Sequence, residues 1–202
     1  MTYWRLASKR TQSCQTAQVQ STLARFHPIF LNVLALAGIC VALLAAFFFQ
    51  LVLGEIPCPL CMLQRIGLIL VGLGFAMNIR FGPSAVNYAV VILSAMAGAG
   101  VSLRQVLLHI APGDTGFGSV VFGYHMYTWG FIAFMGSIIF SAVMLMIDRN
   151  HMGGSAHPMR TALGSVLIGL LLILALGNVA SDVLTCGFAP CVGDPQGYIF
   201  QR

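Results

Sequence analysis

The sequence predicts an all-α integral membrane protein with five transmembrane helices. Of its 202 residues, 58% are hydrophobic and only 7% are charged, whereas soluble domains carry roughly 25% charged residues. The apolar residues form runs of about 20, the length that spans a bilayer as a helix, without the alternation of a membrane β-barrel. This composition excludes a soluble enzyme and a disordered chain. Without a dense Lys/Arg cluster, it also excludes a nucleic-acid partner.

The five spans are predicted at residues 29–53, 62–79, 86–110, 129–147 and 162–180. They divide the chain into an N-terminal tail (1–28), a helical membrane domain (29–180) and a C-terminal tail (181–202). Loops rich in Lys and Arg stay in the cytoplasm. We therefore expect the N-terminus to be cytoplasmic and the C-terminus to lie outside, because most cations precede the first span or follow the second and fourth: Arg5, Lys9, Arg10, Arg25, Arg80, Arg149 and Arg160.

Four of the six cysteines fall on the predicted outer side, in two pairs. Cys58 and Cys61 form a Cys-Pro-Leu-Cys motif after the first span, and Cys186 and Cys191 lie in the C-terminal tail. Paired cysteines in an oxidising compartment form disulfides. Spacing alone leaves three interpretations open: redox-active pairs, structural disulfides, or a zinc site, which is disfavoured because no His lies nearby at ligand spacing.

The Cys-Pro-Leu-Cys motif has the C-x-x-C spacing of redox-active disulfides. Cys61 is expected at the outer N-terminus of the second helix, where the helix dipole favours a thiolate. Arg65 follows one turn later on the same face and favours the same ionisation. The arginine either extends its charge to the membrane interface or holds the polar end of a lipid-soluble cofactor.

Residues 58–65 (CPLCMLQR) resemble the motif of the DsbB family of bacterial inner-membrane proteins, which form disulfide bonds. That family has a C-x-x-C motif at the outer end of its second helix and a quinone-binding arginine four residues further on. Residues 123–129 (GYHMYTW) also resemble the family, and the similarity extends over about 29–147. The resemblance implies a DsbB-like four-helix bundle, to which this chain adds a fifth transmembrane helix.

The resemblance also implies a function, since the DsbA–DsbB–quinone system is known to keep the bacterial periplasm oxidising. It makes Cys61 the catalytic cysteine next to the quinone, Cys58 its exchange partner, and Arg65 the residue that binds ubiquinone or menaquinone. We infer that the second catalytic pair is Cys186 and Cys191. The partners would be a periplasmic DsbA-like thiol oxidase and the quinone pool of the inner membrane. No metal is expected.

The chain departs from the family in the position of its second cysteine pair. DsbB proteins carry that pair between helices three and four, where residues 111–128 of this chain contain no cysteine. We therefore expect Cys186 and Cys191 to take its place. Two alternatives are an enzyme of the vitamin K epoxide reductase type, whose C-x-x-C lies late in the chain, and a non-catalytic scaffold or transporter with structural disulfides.

Overall fold

A computed structural model describes residues 28–111, 113, 114, 116–147 and 162–187 of the chain. Within these residues it contains five helices that are long and apolar enough to cross a membrane, which confirms the predicted all-α membrane fold. The predictions for the N-terminal tail, for residues 148–161 and for Cys191 lie outside the described residues. The helices are α1 (Pro28–Leu51), α2 (Pro59–Phe81), α3 (Ala85–Leu108), α4 (Met126–Ile147) and α5 (Ala162–Cys186).

Helix α2 lies at the centre of the bundle and packs against α3, α4 and α5. Helix α1 joins the same core through Leu36 and Leu43, which are completely buried. The larger core side chains come from three other helices: Phe75 from α2, Tyr88 from α3 and Phe134 from α4. Because α2 contacts so many neighbours, residues at its first turn lie close to several helices at once.

A buried polar network joins α1, α2 and α3 at the end of the bundle away from Cys58. The Asn32 side chain donates hydrogen bonds to the Pro28 carbonyl and to the Tyr88 hydroxyl, both at 2.8 Å. Asn78 donates to the Asn32 side-chain oxygen at 3.0 Å and accepts from the Ser84 backbone N–H. Polar side chains that hydrogen-bond across helices help to hold membrane bundles together.

Helices α3 and α4 approach closely where Gly98 faces Phe134. A Cβ atom built on Gly98 would overlap the Phe134 ring, and one built on Gly67 of α2 would lie 3.0 Å from the same ring. Small residues in membrane helices allow such close approach. Gly98 belongs to a row of small residues in α3, together with Ser94 and Ser102, that the sequence displays at every fourth position.

Gly98→Ala is therefore expected to lower the thermal stability of the detergent-solubilised protein. The completely buried Phe134 ring must move to admit the methyl group, and overpacking of this kind costs about 1–3 kcal/mol. Gly100→Ala is the matched control in the same helix, because a Cβ there meets nothing within 4 Å. Equal melting temperatures for the two variants would contradict the close packing described here.

Most helix boundaries differ from the predicted ones by one to three residues and that of α5 by six, and two of the differences concern cysteines. Helix α2 begins at Pro59 because proline suits the first position of a helix, where its missing N–H is not needed. Helix α5 continues past residue 180 to Cys186. In its last turns Ser181 bonds to α1, and the Thr185 hydroxyl donates to the Ser181 carbonyl at 2.8 Å. Cys186 is thus the last residue of a helix and does not lie in the C-terminal tail predicted to contain it.

Candidate functional site

Cys58 and Cys61 form a disulfide at the start of α2, with their Cα atoms 5.0 Å apart. Cys58 is the N-cap residue, and its sulfur accepts a hydrogen bond from the Cys61 backbone N–H at 3.1 Å. The side chain of Cys58 is buried, whereas that of Cys61 is half-buried. The N-terminus of the helix therefore directs an N–H group at Cys58, in addition to the dipole expected to act on Cys61.

A cavity of about 360 Å³ lies beside the disulfide, and both Cys61 and Arg65 line it. Most of its wall is apolar, as in typical small-molecule sites, and the polar side chains Gln50, Glu55 and Gln64 also contribute to it. The apolar part comes from α1, α2, α4 and the loop before α4, and includes Ala42, Ala46, Phe49, Leu68, Phe117, Val121, Trp129 and Ala133. Such a cavity suits a ligand with an apolar body and a polar edge.

The Arg65 side chain is buried and held by α1. Its guanidinium donates to the Gln50 side-chain oxygen at 2.5 Å and to the Ala46 carbonyl at 3.0 Å. It also lies 5.3 Å from the centre of the Phe47 ring, within the range of a cation–π interaction. With 7% exposure, Arg65 faces the interior of the bundle.

Gln50 connects this arginine to α5. Its side-chain N–H donates to the Ser181 hydroxyl at 2.7 Å, while its oxygen accepts from Arg65. Gln50 is 4% exposed and Ser181 is 6% exposed. A continuous series of buried hydrogen bonds therefore links α5, α1 and the arginine of the cavity.

Two glutamines adjoin the disulfide and were not identified from the sequence. Gln105 of α3 directs its side-chain nitrogen toward both sulfurs, at 3.3 Å from Cys58 and 3.6 Å from Cys61. Gln64 of α2 donates to the Gln105 side-chain oxygen at 2.8 Å. Buried polar residues in membrane helices are often functional. In the sequence, the feature that could have identified them is the occurrence of a glutamine within each of two otherwise apolar spans.

The loop between α3 and α4 covers one side of the cavity. Its Ser119 donates to the Glu55 carboxylate through both its backbone N–H and its hydroxyl. The short β-hairpin of Val120–Val121 (β1) and Tyr124–His125 (β2) is fixed to α4, because Trp129 donates to the Val121 carbonyl at 3.0 Å. The loop is thus attached to the segment that follows α1 and to α4.

A hydrogen-bonded pair of side chains, His109 and Asp114, lies at the start of the same loop. The Asp114 carboxylate is 3.1 Å from the His109 ring nitrogen and accepts the Gly116 backbone N–H at 2.8 Å. The hydrogen bond from Gly116, followed by that from His109, lowers the pKa of Asp114 below its usual value. Both residues lie outside the lining of the cavity, so this pair belongs to the loop surface.

Cys186 ends α5 beside the first turn of α2. Its sulfur lies 3.8 Å from the Met62 sulfur, and Cys186 is disulfide-bonded. A shallow groove between the two helices is lined by Cys186 together with Pro59, Met62 and Asp182. The structure therefore places Cys186 next to the helix turn that carries Cys61, while Cys191 lies outside the described residues.

These features define the class of protein: a multi-pass membrane protein with a C-x-x-C disulfide and a buried arginine at one cavity. Residues 28–118 match the family described as "Disulfide bond formation protein DsbB". Over these residues, somewhat less than half of its length, the chain is similar to the DsbB family. The match covers α1, α2, α3 and the start of the following loop, and it ends before residues 123–129.

Individual proteins named for disulfide bond formation are also similar to this chain. The chain is 45% identical over 85 residues to Disulfide bond formation protein B 1 of Pseudomonas fluorescens, covering 39% of this chain and 50% of that protein. It is 45% identical over 73 residues to Disulfide bond formation protein B of Chromobacterium violaceum, covering 34% and 44% of the two chains. The chain thus spans about half the length of these relatives. No solved structure is significantly similar to it.

Proposed function

We propose that this protein is a quinone-dependent thiol–disulfide oxidoreductase that reoxidises a periplasmic DsbA-like protein. The observation that carries the proposal is the shared position of Cys61 and Arg65 on one largely apolar cavity among membrane-spanning helices. We propose the bacterial inner membrane as its location, with the N-terminus in the cytoplasm and the C-terminus in the periplasm. The similarity to proteins named for disulfide bond formation supports this assignment.

The cavity fits the headgroup of ubiquinone or menaquinone. Arg65 is a buried cation whose guanidinium is oriented by Gln50 and Ala46, and a guanidinium donates well to carbonyl oxygens. Cys61 lines the same cavity and is the sulfur positioned to react there, whereas Cys58 is not among the lining residues. A bound quinone would supply a two-electron acceptor that also takes up two protons.

Two thiol–disulfide exchanges would bring electrons to this site. A dithiol of the DsbA-like partner is oxidised to a disulfide as the tail disulfide Cys186–Cys191 is reduced to two thiols. The tail dithiol then reduces Cys58–Cys61 and becomes a disulfide again, each exchange passing through a mixed disulfide. Because Cys186 lies against Met62, we propose that Cys186 reacts with the Cys58–Cys61 pair and that Cys191 reacts with the partner.

The test is quinone reduction by the purified protein. With dithiothreitol or a reduced DsbA-like protein as the electron donor, the ultraviolet absorbance of a short-chain ubiquinone or menaquinone analogue should fall with turnover. Cys40→Ala is the matched control, because Cys40 is a buried free cysteine of α1 that does not line the cavity. Failure of the native protein to reduce either analogue would favour a scaffold or transporter.

Trapping a mixed disulfide with the partner tests the proposed role of Cys186 and Cys191. With the native chain and a reduced DsbA-like protein that retains only its attacking cysteine, the partner's thiolate should form a mixed disulfide with Cys191 and release Cys186 as a thiolate. This complex should accumulate because the partner has no second thiol to resolve it, whereas Cys186→Ala, which lacks the disulfide that is attacked, should form none. Non-reducing electrophoresis followed by mass spectrometry identifies the linked cysteines. A partner linked to Cys58, with full turnover in the double variant Cys186→Ala/Cys191→Ala, would make the tail disulfide structural.

A further inference from the structure

Gln105 presents a buried hydrogen-bond donor to the redox-active sulfurs. Its side chain is 1% exposed, and its amide nitrogen lies 3.3 Å from the Cys58 sulfur and 3.6 Å from the Cys61 sulfur. Its amide oxygen accepts from Gln64 at 2.8 Å and lies farther from the disulfide than the nitrogen does, at 4.0 Å from the Cys61 sulfur. In this pairing the oxygen of Gln105 faces Gln64 and its N–H groups face the disulfide.

The Cys58 sulfur therefore receives two N–H groups, from the Gln105 side chain and from the Cys61 backbone at 3.1 Å. Cys58 is 4% exposed, so water cannot solvate a negative charge there effectively. A buried charge is costly unless it is hydrogen-bonded, and donors placed in advance where charge develops lower that cost.

We propose that Gln105 is a catalytic residue that stabilises the thiolate formed at Cys58 when the disulfide opens, and that Gln64 is its positioning residue. When an incoming thiolate attacks the Cys61 sulfur, an S–S bond forms, the Cys58–Cys61 bond breaks, and its electron pair passes to Cys58. Gln105 donates an N–H to that sulfur. The same contact keeps Cys58 ionised for the reverse attack that closes the disulfide.

Gln105→Met tests this role, because methionine is similar in length and has no N–H group. A hydrogen bond to a charged group contributes enough for about a tenfold change in equilibrium or more. We expect the equilibrium between the Cys58–Cys61 disulfide and dithiothreitol to shift about tenfold toward the disulfide, equivalent to about 30 mV. In a Cys61→Ser background, the pKa of the Cys58 thiol, followed by thiolate absorbance, should rise by about one unit.

Three further variants make the test specific. Gln105→Glu places a carboxylate where the N–H groups were and should shift both readouts further in the same direction. Gln64→Leu should shift them less, because Gln105 remains. Ser102→Ala is the matched control one turn away in α3: the Ser102 hydroxyl is buried and has no hydrogen-bond partner within the described residues, so neither readout should change.

The inference is overturned if Gln105→Met and Gln105→Glu leave both the equilibrium and the thiol pKa within twofold of their reference proteins. It is also overturned if Ser102→Ala causes the same shift. It rests on the proposed function for its catalytic meaning, but dithiothreitol replaces both quinone and partner in the measurement. A protein that shows the shift and fails to reduce quinone would contradict the proposed function alone.

Discussion

Cys58→Ser protein is expected to develop a new visible absorbance band when ubiquinone or menaquinone is added, whereas Cys61→Ser protein is not. The band would come from a Cys61 thiolate in contact with the quinone ring. Cys61 lines the cavity and lies in the first turn of α2, where the helix dipole favours the ionised sulfur. Absorbance spectra of the two purified variants, recorded with and without quinone, make the comparison.

Both substitutions should also reduce turnover to background, because each removes one sulfur from the disulfide that passes electrons on. The Cys40→Ala protein should retain turnover and show no new band, because this variant keeps the Cys58–Cys61 disulfide. A band in Cys61→Ser and none in Cys58→Ser would reverse the two assignments and place Cys58 at the quinone.

Arg65→Gln is expected to raise the apparent KM for quinone about 10- to 100-fold while the protein still inserts into the membrane. Hydrogen bonds to charged groups contribute about 1.5–3 kcal/mol, and each 1.4 kcal/mol is a factor of ten in affinity. Glutamine retains a donor but loses the charge, so binding should weaken without being abolished. Steady-state quinone reduction at several analogue concentrations measures the effect.

Arg104→Gln serves as the matched control, because Arg104 is an exposed arginine of α3 that does not line the cavity. It should leave the KM unchanged. Arg65→Lys should fall between the native protein and Arg65→Gln, since it keeps the charge and loses the planar set of donors. A native KM in Arg65→Gln would show that the guanidinium serves the packing of α1 against α2 and does not bind quinone.

The sequence was sufficient to predict the number and approximate position of the five helices, because long apolar runs with few charges have no other stable arrangement in a bilayer. It also predicted that Cys61 and Arg65 would share one helix face. Both predictions depend on local spacing, which a helix converts directly into geometry.

Other features could not be predicted, because they depend on which helices become neighbours. Gln105 lies 44 residues after Cys61 in the chain, and nothing in the spacing of either motif relates the two. The predicted end of the fifth helix was too early for a similar reason. Ser181 and Asp182 looked like the start of a polar tail, but the Ser181 hydroxyl is buried against Gln50.

The hydrogen bonds that join Ser181, Gln50 and Arg65 make substitutions at these three positions depend on one another. Helix α5 lies outside residues 28–118, which match the DsbB family. It is nevertheless connected to Arg65 through the side chain of Gln50. A new residue at position 181 alters the hydrogen bonding of Gln50 and, through it, the orientation of the Arg65 guanidinium. Substitutions in the additional helix and in the family-related site are therefore expected to co-vary, although the two lie more than 100 residues apart in sequence.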